Sequence, residues 1–119
     1  MLLSLSFALV FAATPQTFEG YLGQVQKRVQ SAWKMPAKSE KLQATVAFTI
    51  DRAGRVTELR VAKSSGRKDF DGSALEAVRS VTPFPPLISI LKRSETRDVE
   101  IRFRPNSVVA LEAKAPPGK

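Results

Sequence analysis

The stretch ATVAFTIDRAGRVTELRVAK, Ala44 to Lys63, decides the fold. Val46, Phe48 and Ile50 alternate with Thr45, Ala47 and Thr49, the period of two that turns one side of a strand to a core and the other to water. The alternation returns from Arg55 to Lys63, which predicts Thr57, Leu59 and Val61 on one face, opposite Glu58 and Arg60. Asp51-Arg52-Ala53-Gly54 joins the two runs, and Gly54 supplies the positive φ that a tight turn needs. The reading is an antiparallel hairpin with one apolar face.

Helices on either side of the hairpin are placed to cover that face. Upstream, Phe18, Tyr21, Leu22, Val25, Val29, Ala32 and Trp33 fall at helical spacing, with Lys27, Arg28 and Gln30 on the other side. Pro36 ends this helix, and Pro36 to Lys41 is a polar connection. Downstream comes SSGRKDFDGSALEAV, Ser64 to Val78, a turn followed by a helix predicted from Asp69 to Val81 that buries Phe70, Ala74, Leu75, Val78 and Val81. The turn reads either as an anion-binding loop at a helix N-terminus or as a corner between strand and helix. Asp69 is expected to cap the free amides, and Asp71 and Glu76 add negative charge to the early turns. Neither phosphate-binding glycine pattern is present, so the corner is favoured.

Pro83-Phe84-Pro85-Pro86 halts the second helix. RDVEIRFR, Arg97 to Arg104, then forms a third strand with Val99, Ile101 and Phe103 inward and Asp98, Glu100, Arg102 and Arg104 outward. NSVVALEA, Asn106 to Ala113, fits a short fourth strand, and the tail AKAPPGK is expected to be disordered. The predicted class is α+β in the order α-β-β-α-β. A small antiparallel three-stranded sheet, with room for the short fourth strand, carries both helices on one face.

The 119 residues suit one domain, placed at 17–105 with 106–119 as the short strand and tail. Met1 to Ala13, MLLSLSFALVFAA, is uncharged and too short for the roughly 20 residues that span a bilayer. It is expected to be a secretory signal cut after Ala12, or a membrane tether if uncut. Cysteine and histidine are absent, which removes disulfides, thiolate nucleophiles, the commonest general base and the usual zinc ligands. No catalytic, cofactor or metal site is predicted, and no small-molecule substrate. The formal charge of +8 favours anionic surfaces, with Arg60, Arg102 and Arg104 on the wet sheet face. That face lacks the aromatic residues on which RNA bases stack, so lipid headgroups are better targets than nucleic acid for this alternative.

Taken in order, WKMP (Trp33 to Pro36), the hairpin through Gly66, FDGSALEAV (Phe70 to Val78), PFPP (Pro83 to Pro86) and VEIRFRP (Val99 to Pro105) resemble the C-terminal domain of the TonB and TolA family. The resemblance implies a periplasmic, non-enzymatic domain of Gram-negative bacteria that serves energy-dependent transport or envelope integrity. Such domains take a peptide strand of an outer-membrane receptor or of a Tol–Pal envelope protein onto their sheet edge, and they can dimerise by strand exchange. Carried onto this chain, the docking edge is the last long strand: Arg97, Val99, Glu100, Ile101, Arg102, Phe103 and Arg104. The sequence resembles a free-standing domain, with neither a long apolar anchor nor a periplasm-crossing spacer.

Overall fold

A computed structural model describes residues 17–113; the expected signal and the tail beyond Ala113 lie outside them. Helix α1 spans Phe18–Ala32, strands β1 and β2 span Ala44–Asp51 and Val56–Lys63, and helix α2 spans Lys68–Val81. Strands β3, Thr96–Arg104, and β4, Ser107–Glu112, complete an antiparallel sheet in the order β2-β1-β3-β4. The class and element order are those expected, and the fourth strand is real. Both helices lie on one face, α1 against β4 and α2 against β1 and β2, and they touch each other.

Local chemistry explains the helix ends. Thr17 is extended and its hydroxyl accepts from the Gly20 amide at 3.1 Å, which satisfies one free donor at the start of α1. In α2 the expected cap is corrected. The N-cap is Arg67, and Asp69 stands inside the first turn. Both Asp69 carboxylate oxygens are taken by the Arg67 guanidinium, at 2.7 and 2.9 Å, which also donates to the carbonyls of Ala37 and Lys38. Asp71 reaches back over the turn, accepting from the Ser65 amide at 2.8 Å and from the Ser64 hydroxyl. Burial opposes ionisation of Asp71, but these hydrogen bonds outweigh it and hold the carboxyl below its ordinary range. Ser64-Ser65-Gly66 is therefore a self-satisfied corner.

Val46, Phe48 and Ile50 of β1, Val99, Ile101 and Phe103 of β3, and Val108 and Ala110 of β4 face the helices and are buried. Against them pack Tyr21, Leu22, Val25 and Val29 of α1 and Phe70, Ala74, Ala77 and Val78 of α2. Full burial of each Val, Ile, Leu or Phe contributes about 1.5–3 kcal/mol, enough in sum to fix the register. Trp33 sits edge-on to Phe70 and Phe103, with ring centroids 5.6 and 5.1 Å away, and its indole N–H donates to Ser73 at 2.9 Å. The PFPP segment docks on the hairpin turn. Phe84 stacks on Phe48, the Phe84 amide donates to the Gly54 carbonyl at 3.0 Å, and the Tyr21 hydroxyl donates to the Pro85 carbonyl at 2.6 Å.

One register expectation fails. Glu58 has φ of 55°, and the pairing slips between Ala47↔Arg60 and Thr49↔Thr57, so one extra residue bulges from β2. The slip turns Thr57 outward and leaves Val56, Leu59 and Val61 as the half-buried side of the strand.

Candidate peptide-binding edge

The geometry turns on which strand edges remain open. β3 was expected to be an edge and is not: β1 pairs along one side from Thr96 to Phe103, and β4 along the other from Val99 to Arg104. The seven residues assigned to a docking edge, Arg97, Val99, Glu100, Ile101, Arg102, Phe103 and Arg104, thus lie on an inner strand. Six residues of β4 cover the edge they were expected to present.

The directions of the backbone groups follow from one contact. The Ala110 amide donates to Oε1 of Gln26 on α1 at 3.0 Å, so it points away from β3. Antiparallel pairs alternate between exchanging hydrogen bonds and exchanging none. Ile101↔Ala110 is therefore a non-bonded pair, whereas Glu100↔Leu111, Arg102↔Val109 and Arg104↔Ser107 are bonded. The amides of Glu100, Arg102 and Arg104 face β4, and those of Val99, Ile101 and Phe103 face β1.

Each outer edge carries a guard. On β4, Gln26 occupies an outward amide in the middle of the strand. On β2, the bulge at Glu58 breaks the ladder, and the Arg60 guanidinium donates to the Glu58 carbonyl at 2.8 Å. Bulges and side-chain plugs of this kind keep stray strands from pairing.

Arg97 joins the end of β4 to its surroundings. It contacts Glu95 at 3.0 Å and Glu112 at 3.2 Å, and its guanidinium carbon lies 5.1 Å from the centroid of the Phe18 ring. The Glu95 hydrogen bond is the main reason its affinity for the proton is raised. Glu95 in turn accepts from the Lys92 amide, the chief cause of its lowered pKa. Gln26 and Glu112 were not singled out from the sequence. Gln26 stands four residues after Leu22 and three before Val29, a polar side chain bordering an apolar helical stripe, which is the signal that marks it.

On the open sheet face, Lys63, Arg102 and Arg104 line a hollow of about 500 Å³ together with Thr45, Ser64 and Glu100. None of the three cations forms an ion pair among the described residues. The same residues hold no cluster of three or more His, Cys, Asp or Glu able to bind a metal. No described helix is long and apolar enough to cross a membrane.

Comparison with known proteins gives a consistent result. The Protein TonB of Pasteurella multocida is 27% identical in an alignment 71 residues long that covers 56% of this chain and 28% of that protein. The chain thus spans less than a third of this relative's length. The solution structure of the Helicobacter pylori TonB C-terminal domain superposes with a TM-score of 0.53 and 26% identity, covering 81% of this chain and 83% of that one. TolAIII bound to a peptide derived from the N-terminus of TolB shares the fold, with a TM-score of 0.53 at 23% identity over 78% of this chain and 72% of that one. The family described as TonB C terminal matches residues 18–103. The chain belongs to that family of non-enzymatic interaction domains.

Proposed function

We propose that this chain is a periplasmic module that captures an extended peptide of an outer-membrane receptor or another envelope protein by adding it as a strand along β3, in the place of β4. The observation that carries the reading is the pairing of a nine-residue central strand with a six-residue terminal one. Releasing β4 uncovers the amides and carbonyls of Glu100, Arg102 and Arg104, while β1 and the core hold β3 in place. Backbone hydrogen bonds of this kind supply affinity in strand addition, and side-chain pockets supply selectivity. Both outer edges are guarded, which disfavours addition elsewhere. Family membership and the peptide-bound TolAIII relative support the same reading, as well as a role in energy-dependent transport or envelope integrity. The same release in two molecules allows a strand-exchanged homodimer.

The test is an amide-shift titration of the isotope-labelled chain with peptides from the periplasmic N-termini of the same organism's outer-membrane receptors. Shifts gathered on Arg97–Arg104 and Ser107–Glu112, persisting in moderate salt, are expected. Saturable shifts confined to other strands would contradict the assignment.

A second reading has its own observation, the hollow on the open face lined by Lys63, Arg102 and Arg104 without ion pairs among the described residues. They suit an anionic lipid headgroup, and binding there would weaken steeply with salt while leaving the β4 amides unmoved.

A further inference from the structure

We infer that the receiving slot reads a pattern in the captured strand: an apolar residue, two positions on a small residue other than proline, and two positions on a carboxylate. The inference rests on the strand-addition reading above. It follows from what the slot does with β4, its resident occupant, at Val108, Ala110 and Glu112.

Val108 and Ala110 are 2% and 8% exposed beneath α1. The first position therefore takes an apolar side chain and the second only a small one, because α1 packs directly on this strand. At the second position the backbone amide points outward to Gln26, 3.0 Å away. Proline has no N–H to offer there.

The third position faces Arg97, whose side chain is 30% exposed. Two of its contacts do not depend on β4: Nε donates to Glu95 at 3.0 Å, and the guanidinium lies over the Phe18 ring of α1. The guanidinium is therefore still placed when β4 departs. Its Nη1, now 3.2 Å from Glu112, then faces the vacated slot as an unused donor. A planar, always-charged group held in position selects a carboxylate at that point in the incoming strand.

The test uses the full chain and three decapeptides that copy residues 104–113: one native, one with Glu112→Lys and one with Ala110→Phe. Amide-shift titrations give the affinity of each peptide for wild type and for Arg97→Glu. β4 competes in cis, which weakens all peptides on a given chain by the same factor and leaves their ratios intact. Wild type is expected to prefer the native peptide over the lysine peptide by about fivefold, the range of a partly exposed ion pair. It should reject the phenylalanine peptide at least as strongly. In Arg97→Glu the glutamate-to-lysine preference reverses while the penalty for phenylalanine stays. Should Arg97→Glu fold poorly, Arg97→Gln serves instead, with the charge preference abolished. Equal binding of all three peptides along β3 overturns the inference and leaves strand addition standing. If no peptide engages β3 on any chain, strand addition itself fails, and the inference with it.

Discussion

At the scale of single residues, Gly54 is the least replaceable position in the hairpin. Its φ is 87°, and a Cβ built there would lie 2.0 Å from the Phe84 carbonyl oxygen. Gly54→Ala therefore combines left-handed backbone strain with a collision against backbone, and should cost roughly 3 kcal/mol. Gly66 has φ of 92° but open space around it. Gly66→Ala should cost only about 1 kcal/mol, and urea unfolding of the pair separates the two effects. The sequence showed that Gly54 makes a turn. It could not show that the carbonyl of Phe84, thirty residues on, seals that turn, because close approach is a product of tertiary packing. Tyr21 has a similar history: helical spacing marked it as core, but its donation to Pro85 depends on where PFPP docks. Burial raises its pKa well above the ordinary value near 10. The unfolded chain therefore loses the phenolic proton first, and stability should fall as pH rises above about 10. Tyr21→Phe should remove that part of the alkaline loss while costing about 1–2 kcal/mol at neutral pH for the orphaned carbonyl.

At the scale of elements, alternation found the strands and helical spacing found the helices, since burial on one face leaves a periodic trace. Pairing order leaves none. The pattern of Val99, Ile101 and Phe103 against Glu100, Arg102 and Arg104 is the same whether the strand lies at an edge or inside, so it does not reveal that β4 covers this strand. The bulge at Glu58 was equally hidden, because no glycine marks it. Gln26 is the element-scale test of what holds β4 in place. Gln26→Ala removes a hydrogen bond worth about 1 kcal/mol. Hydrogen exchange should quicken at Val109 and Leu111, whose amides face β3, with little change at Val46 or Ile101. Acid sensitivity also belongs to elements, since Asp51 closes the hairpin and Asp71 the corner. Hydrogen bonding from the Arg55 amide is the main cause of the low Asp51 pKa, and the Ser64 and Ser65 bonds overcome burial at Asp71. In both the folded pKa lies below the unfolded one. Their contribution is present above about pH 4 and is lost as pH falls through the folded values. Asp51→Asn and Asp71→Asn should each flatten the acid limb of stability against pH.

At the scale of the whole molecule, the core fixes β1 and β3, while the end of the sheet is closed by a short strand held through Gln26, Arg97 and two apolar side chains. The outer strands β2 and β4 are each paired on one side only, so stability should be graded across the sheet, highest at β1 and β3. The strand capture proposed above needs this gradient. The most direct test is native-state hydrogen exchange on the full chain, without peptide and with a saturating receptor peptide. Without peptide, the amides of Glu100, Arg102 and Arg104 should exchange at least tenfold faster than those of Val99, Ile101 and Phe103, because release of β4 exposes only the first set. With peptide, the first set should become protected while Val109 and Leu111 lose protection. Equal protection of the two sets without peptide, and no change at β4 on adding it, would mean that β4 never leaves, and would contradict capture along β3.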